Sequence, residues 1–335
     1  KAIELFLHIA ELDKDTFETQ LALGHLFRRR GEVDRAIRLH QGLAQRPDLN
    51  DAQKVLALLA LGEDYMKSGL LDRAETVFSD LARIDQRAPQ ALRHLIGIYQ
   101  AERDWPKAIE NATRYEAATG EPMGKLIAQF ECELADRFRS AGDAEAARAA
   151  VQRAYAADSG SVRAGILEGR IEIDAGNDVA AIRAFERAAR HDADFLPEIL
   201  GPLLAAYERV GDVPGARNFL SQMTEHYRGV APVLALTRLV EQEEGVHAAR
   251  TYLARQLKDR PSVRGEAALI ELTLADGVDH VGTLQELRLI TEQLLVRNPS
   301  YRCKQCGFGA RSLHWQCPSC KEWGTIKPLL NYAVV

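Results

Sequence analysis

The sequence is poor in cysteine, methionine and tryptophan, with five, three and three of these residues among 335. It contains no run of 18 or more apolar residues, so no segment is predicted to cross a membrane as a helix. No signal sequence is evident, and the chain opens on Lys1 in the middle of a helical pattern. We therefore expect this sequence to be a piece of a longer chain.

Sequence motifs for common catalytic chemistry are also absent. There is no G-x-S-x-G nucleophile elbow, no G-x-x-x-x-G-K-[ST] phosphate loop, no H-E-x-x-H motif and no glycine-rich dinucleotide fingerprint. The carboxylates are numerous but fall at helical spacing, which is typical of solvated helix faces. We predict that the protein is not an enzyme.

Composition and charge are those of a soluble protein, with 46% hydrophobic and 27% charged residues. The net charge of -5 is unevenly distributed, because residues 300–335 carry a net +4 and residues 1–299 a net -9. A basic tail thus follows an acidic body. The excess positive charge is too small to indicate nucleic-acid binding by itself.

Four of the five cysteines form two pairs near the end of the chain, Cys303-x-x-Cys306 and Cys317-x-x-Cys320. Each pair can direct two thiolates to one point, and two pairs supply the four ligands of a tetrahedral Zn²⁺ site. Iron fits the same cage, and disulfides or a redox dithiol are the alternatives. The remaining thiol, Cys132, fits a reducing compartment such as the cytosol.

A glycine followed five residues later by alanine recurs along the chain, as in Gly31/Ala36 and Gly211/Ala216. The alanine positions repeat every 34 to 39 residues, which is the tetratricopeptide period. They are 2, 36, 74, 108, 147, 181 and 216. Position 108 follows Arg103 instead of glycine, so the pattern is imperfect there.

The repeat predicts pairs of antiparallel helices. Glycine accepts the left-handed conformation that ends the first helix, and alanine lets the second helix approach closely. We expect two further sets of core side chains. Aromatic residues four positions before the glycine are Phe27, Tyr65, Tyr99, Phe138 and Tyr207, with Glu172 and Glu241 as exceptions; large apolar residues four positions after the alanine are Phe6, Phe78, Val151, Phe185 and Leu220.

The pattern loosens after Arg250, but residues 262–275 and 283–296 still read as a helix pair, with Ser262 and Thr283 as N-caps. The predicted fold is all-α, a tetratricopeptide-repeat superhelical solenoid with a small C-terminal rubredoxin-like or zinc-ribbon module. We place the solenoid at residues 1–298 and the metal-binding module at 299–335.

The module resembles the paired knuckles of rubredoxins, with Gly307 after the second cysteine and Pro318 after the third. Lys321 replaces the usual second glycine, and the gap between the pairs is shorter than in rubredoxins. Its aromatic residues either surround the metal or pack on the last helices, and we expect docking there. His314 lies near the cluster, but four thiolates complete the coordination, so we expect it at the surface.

Helical repeats that end in a four-cysteine tail resemble the lipopolysaccharide assembly protein B family of Gram-negative bacteria. The resemblance is most specific at residues 30–38 and 301–328 and covers nearly the whole chain. It implies an N-terminal membrane anchor, repeats on the cytoplasmic side of the inner membrane, and an adaptor role. The resemblance also implies that the protein promotes degradation of the lipid A pathway deacetylase LpxC by the membrane protease FtsH.

In such arrays the first helix of each pair lines the concave surface. Here those positions are His25, Arg28, Glu63, Arg93, Gln129, Cys132, Asp136, Arg139, Arg163 and Arg170. Arginine suits the recognition of carboxylates and phosphates, so the five arginines are candidate partner-binding residues. Ordinary solvated helix faces are the alternative.

The favoured hypothesis is a non-catalytic adaptor that regulates lipopolysaccharide biosynthesis through protein partners. One alternative is electron transfer through an iron-loaded tail. Another is nucleic-acid binding by a zinc ribbon, against which the acidic body and the lack of a basic stripe both weigh.

Overall fold

The computed structural model describes residues 16–84, 89–277, 284–285, 287–289, 291–292 and 299–329. Contacts divide the chain into two compact units, Lys1–Glu133 and Leu134–Val335. The cysteine module therefore falls in the same unit as the helices of the second half. The division at residues 298 and 299 stays a prediction.

The first unit consists of helices that pack consecutively as antiparallel pairs. They are α1 Phe17–Arg30, α2 Val33–Ala44, α3 Asp51–Ser68, α4 Leu71–Ile84, α5 Pro89–Glu102 and α6 Trp105–Thr119, followed by the first part of α7 Gly124–Ser140.

The second unit continues the helix pairs and ends in short strands. Its elements after α7 are α8 Ala144–Ala157, α9 Val162–Asp174, α10 Asp178–His191, a 3₁₀ turn Ala193–Phe195, α11 Leu196–Val210, α12 Val213–His226, α13 Ala231–Glu244, α14 Val246–Asp259, α15 Val263–Ala275, β1 Tyr301–Cys303, β2 Gly309–Ala310 and β3 Ile326–Pro328. The all-α repeat fold with a small strand module is confirmed.

The predicted turns between paired helices are confirmed by their backbone angles. Five glycines that follow a first helix have φ between 75° and 82°: Gly31, Gly69, Gly142, Gly176 and Gly211. Arg103, at the position that lacks glycine, adopts the same left-handed conformation with φ 59°. For a residue with a Cβ this conformation costs about 1–2 kcal/mol. The geometry of the repeat therefore overrides the preference of this residue.

Most of the predicted core positions in the described residues are buried. The alanines at 36, 74, 108, 147 and 181 are fully buried, and so are Phe78, Phe185 and Leu220. Phe138 is only half-buried, whereas the exception Glu172 is buried and accepts hydrogen bonds from Arg148 at 2.6 and 3.0 Å. Ala2 and Phe6 lie outside the described residues.

Ser262 caps α15 as predicted, because its side chain accepts a hydrogen bond from the backbone N–H of Gly265. The described residues between 284 and 292 are helical, while most of the predicted helix at 283–296 lies outside the described part of the chain. Among the helices that the structure describes, none combines the length and the apolar character needed to cross a membrane.

Candidate metal centre

The cysteine module is built on a three-stranded antiparallel sheet in the order β2-β1-β3. Strand β1 carries the first cysteine, and Cys303 pairs with Ile326 of β3. Cys303, Cys317 and Ile326 are buried together, with Tyr301 and Leu313 packed against them. This apolar cluster is too small to stabilise an isolated domain of this size, so bound metal is expected to contribute much of the folding free energy.

Two turns of the same geometry present the four thiols. In the first turn the N–H of Gly307 donates to the carbonyl of Cys303 at 3.0 Å, and in the second the N–H of Lys321 donates to the carbonyl of Cys317 at 2.9 Å. Both turns need a left-handed residue, with φ 78° at Gly307 and 61° at Lys321. Lys321 thus adopts the glycine conformation at the position where the rubredoxin pattern has glycine.

The four sulfur atoms lie within 4.8 Å of one another. The Sγ atoms of Cys303 and Cys320 are 3.8 Å apart, as are those of Cys306 and Cys317. In a regular tetrahedron of thiolates about 2.3 Å from a central ion, neighbouring sulfurs are about 3.8 Å apart. The spacing fits one metal ion and is far longer than the ~2.05 Å bond of a disulfide. None of the four module cysteines forms a disulfide.

Hydrogen bonds favour the thiolate form of the first cysteine pair. The hydroxyl of Thr325 lies 3.2 Å from Cys303 Sγ, and this contact with backbone N–H groups lowers the pKa of the Cys303 thiol to about 6. The backbone N–H of Phe308 lowers the pKa of Cys306. Metal binding requires deprotonated cysteines, so these contacts prepare the pair for a cation. His314 is exposed, lies outside the sulfur cluster and contacts Ser312.

The module contacts an acidic turn between α10 and α11. Lys304 Nζ lies 3.0 Å from Asp194 Oδ2, and Lys327 pairs with Asp192. The hydroxyl of Tyr301 donates to Glu198 in the first turn of α11. The basic tail and the acidic body therefore form ion pairs with each other within the protein.

Aromatic rings reinforce this contact. Phe195 stacks on Trp315 with ring centroids 5.1 Å apart. The guanidinium carbon of Arg163 lies 5.4 Å from the ring centroid of Trp315 and 5.6 Å from that of Trp323. Arg163 is only 5% exposed. A desolvated cation–π contact contributes about 2 kcal/mol, so Arg163 is a strong anchor between α9 and the module.

The described contacts attach the module to Arg163 at the start of α9 and to the segment Asp192–Glu198, far back in the sequence. Complementary charge and ring stacking hold the module there. The predicted docking on the last helices stays a prediction, because most of residues 278–298 lie outside the described part of the chain. Aromatic residues serve both predicted purposes, since Tyr301 packs beside Cys303 and also reaches Glu198.

Comparison with known proteins agrees with both halves of the molecule. Residues 301–328 match a family model described as a rubredoxin metal binding domain, and residues 21–53 match a tetratricopeptide repeat. Lipopolysaccharide assembly protein B of Escherichia coli strain K12 is 37% identical over 331 residues, which cover 98% of this chain and 85% of that protein. The protein of the same name from Haemophilus influenzae is 32% identical, with 99% and 86% covered.

The chain belongs to the lipopolysaccharide assembly protein B family. The resemblance inferred from the sequence is confirmed. Solved structures with similar helices include MamA, at 22% identity, a TM-score of 0.38 and coverage of 55% of this chain and 96% of that one. A tetratricopeptide repeat protein from Parabacteroides merdae has 12% identity, a TM-score of 0.37 and coverage of 82% and 98%.

The five candidate partner-binding arginines of this family member have different surroundings. Arg28 binds Glu63 at 2.5 Å and the buried Asp64 at 2.9 Å, and Arg163 is covered by the module. The other three are at least partly exposed. Arg93 pairs with the exposed Glu121, Arg139 pairs with Asp136 and Asp174, and Arg170 is half-buried on α9. Their binding role stays a prediction.

Sequence reasoning missed the acceptor site for the module. Asp192, Asp194 and Phe195 lie in a connection between repeats and fit none of the repeat positions. The available signal was a cluster of two acidic residues and one aromatic residue in a short loop, facing a tail with the opposite charge.

Proposed function

We propose that this protein is a non-catalytic adaptor that regulates lipopolysaccharide biosynthesis by bringing the deacetylase LpxC to the protease FtsH. It acts on the cytoplasmic side of the inner membrane, held there by a segment that precedes the residues in this sequence. The names of the relatives support a role in lipopolysaccharide assembly. The resemblance alone supports the identity of the two partners.

The observation that carries this proposal is the attachment of a four-thiol cluster to helical repeats. Four thiolates around one ion would fill its tetrahedral positions and leave none for a substrate or an activated water. The role of such a metal is to order a surface. Because the ordered module is anchored on Arg163, Asp192 and Asp194, it and the repeats form one continuous binding surface in the second unit.

Three of the predicted arginines remain candidates for contact with partners. Arg93 is exposed, and Arg139 and Arg170 are half-buried, all on first helices. An exposed ion pair such as Arg93–Glu121 contributes little and is readily exchanged. We do not extend this role to Arg28 and Arg163, because both are occupied by contacts within the chain.

Zn²⁺ is the proposed metal, with Cys303, Cys306, Cys317 and Cys320 as ligands. Metal analysis of the purified protein is expected to give one ion per chain and a colourless solution. The double variant Cys303→Ser/Cys320→Ser is expected to lose the metal, whereas Ser312→Ala in the same module keeps it. Full metal occupancy in the double variant would contradict the assignment.

The adaptor role is tested by the lifetime of the deacetylase in cells and by pull-down with the protease and the deacetylase. Cys317→Ser is expected to weaken partner capture and prolong the lifetime, while helix content is retained. Arg163→Ala should act in the same direction with the metal still bound, because it removes an anchor and no ligand. Arg311→Ala, at an exposed position of the module, is the matched control.

An unchanged deacetylase lifetime after deletion of the protein would overturn the proposal. So would turnover of a lipid or peptide by the purified chain alone. The second candidate function is electron transfer, which the match to a rubredoxin metal binding domain favours. It predicts iron in the native protein and an absorption band of ferric thiolate that disappears on reduction.

A further inference from the structure

A groove of about 550 Å³ opens in the second unit between the first helices of two successive repeats, α11 and α13. Its floor is apolar, with Leu204, Ala205 and Leu239 half-buried and Ala235 buried. Val213 extends the apolar lining to the start of α12, where it is 41% exposed. A volume of this size lies in the range of pockets that hold small ligands or several side chains.

In two other repeats an ion pair bridges neighbouring first helices. Arg28 of α1 pairs with Glu63 of α3 at 2.5 Å, and Arg139 of α7 pairs with Asp174 of α9 at 2.9 Å. Each arginine lies three residues before the glycine of its turn. Such a pair places two long side chains across the junction between the helices.

The residues that would form the equivalent pair between α11 and α13 do not match in charge. Glu208 takes the position of the bridging arginine, three residues before Gly211. Leu239 takes the position of Glu63, six residues before the glycine of its turn. A carboxylate opposite a leucine forms no ion pair, so this junction stays open and its apolar floor stays accessible.

The rim of the groove carries one charge of each sign. Glu208 and Arg238 are exposed, and their charged groups make no hydrogen bond or ion pair within the part of the chain that the structure describes. Arg238 lies seven residues before Gly245, one turn earlier in its helix than Glu208 in α11. Because both helices follow antiparallel partners and run in the same direction, the two charges are about 6 Å apart along the groove.

We propose that the groove between α11 and α13 binds a peptide segment of a partner protein, with apolar side chains of the segment covering Leu204 and Leu239. One acidic side chain of the segment pairs with Arg238, and one basic side chain pairs with Glu208. Burial of the apolar side chains supplies affinity. The two rim charges set the direction of the segment, because the reversed peptide would bring like charges together.

A fatty acyl chain with an anionic head group also fits an apolar floor beside an arginine. It offers no cation to Glu208, which favours the peptide. The inference goes beyond the proposed function, because it names the chemistry of a bound segment and does not depend on which protein supplies that segment. Peptide binding in solution and deacetylase lifetime in cells are separate measurements, so either can fail without the other.

Selection from a phage-displayed library of random peptides on the metal-loaded full chain tests the chemistry of the occupant. Enriched peptides are expected to combine apolar residues with one acidic and one basic residue, and synthetic copies are expected to bind in fluorescence anisotropy. Enriched peptides without a charge preference would overturn the proposal. So would binding of a fluorescent fatty acid in the groove when no peptide binds there.

Filling the groove provides the matched comparison. Gly201 lines the groove, and a Cβ added there meets nothing within 4 Å, so Gly201→Trp is expected to fold and to weaken peptide binding at least tenfold. Gly97→Trp is the control, because Gly97 is an exposed glycine of the first helix α5 with equally open space at its Cβ. Equal affinities of the two variants would contradict the proposed location.

Charge reversal tests the two rim contacts. Arg238→Glu and Glu208→Lys are each expected to weaken binding at least fivefold. The double variant Arg238→Glu/Glu208→Lys is expected to prefer a peptide in which the acidic and basic residues are exchanged. Equal binding of the original and exchanged peptides to the parent protein would overturn the proposed ion pairs.

Discussion

Two repeats use the same space between helices in opposite ways. In the second unit the ring of Phe185 packs on Gly169, and a Cβ at that glycine would lie 2.5 Å from the ring. In the first unit the ring of His40 packs on Gly24, where a Cβ would lie 2.2 Å from it. Both rings are fully buried four positions after the repeat alanine. Where the facing helix has a glycine, either an apolar or a polar ring can therefore fill the space.

The buried histidine ring needs hydrogen-bond partners, whereas the buried phenylalanine ring does not. His40 Nδ1 lies 2.5 Å from Asp64 Oδ2 and Nε2 lies 3.2 Å from the carbonyl of Leu21. Asp64 is fully buried and also accepts from Arg28. At the corresponding position of the next repeat after Phe185 stands the buried Ala206. Replacing phenylalanine by histidine thus requires a carboxylate in the following repeat and an arginine for that carboxylate.

The largest expected effect is the loss of the central carboxylate. Asp64→Ala leaves the His40 ring and the Arg28 guanidinium without their shared acceptor, and breaking a buried pair in this way costs about 3–5 kcal/mol. Hydrogen exchange of α1–α3 should report the loss as faster exchange, with Asp51→Ala at an exposed position as the control. Exchange rates unchanged by Asp64→Ala would show that the ion network contributes nothing.

Replacing the buried His40 and Asp64 by apolar residues tests whether the two repeats differ only in polarity. The double variant His40→Phe/Asp64→Ala reproduces the Phe185 and Ala206 pair in the first unit. Its stability is expected to lie within about 1–2 kcal/mol of the parent protein, because buried ion pairs are often replaced by apolar residues at little cost. A loss equal to that of Asp64→Ala alone would show that the two spaces differ in shape as well as polarity.

Filling the glycine position tests whether both rings are equally constrained. Gly24→Ala and Gly169→Ala each place a methyl group against a buried ring and are expected to cost about 1–3 kcal/mol. Gly42→Ala is the control, because nothing lies within 4 Å of a Cβ there. Thermal unfolding and local hydrogen exchange measure the three variants. A stabilised Gly24→Ala protein would mean that the His40 ring moves freely.

The smallest expected effect is a difference in response to pH. Burial and the charges of Arg28 and His40 lower the pKa of His25, while Glu63 and Asp64 act in the opposite direction. A histidine with a lowered folded pKa resists protonation, so its contribution to stability falls as the pH drops below about 6.5, where the unfolded chain binds the proton.

The pKa of Glu63 is also lowered, through its hydrogen bond with His94, so its contribution declines only below its ordinary pKa of 4.5. Between pH 7 and 5, the protection factors of amides in α1–α3, corrected for the intrinsic pH dependence of exchange, should therefore fall more than those around Phe185 because of His25. An equal fall in the two regions would remove the distinction. A His25→Gln variant, which cannot titrate, is expected to reduce the difference.

The sequence by itself determined the repeat and the clustering of the four module cysteines. Glycine and alanine at a fixed spacing specify a left-handed turn and a close helix approach, and these are local properties of the backbone. Each Cys-x-x-Cys pair likewise specifies a tight turn that presents two thiols. At Arg103 and Lys321 the pattern lacked glycine, yet the left-handed turn persists, because the surrounding contacts outweigh a local cost of about 1–2 kcal/mol.

Only the tertiary structure decided which distant residues meet. The docking of Trp315 and Trp323 on Arg163 joins residues about 150 positions apart, and no local pattern encodes that contact. The pairing of His40 with Asp64 and the use of Arg28 inside the first unit were equally hidden, since each side chain taken alone reads as a solvated helix position. Burial and charge complementarity select these partners, and both exist only once the helices have packed.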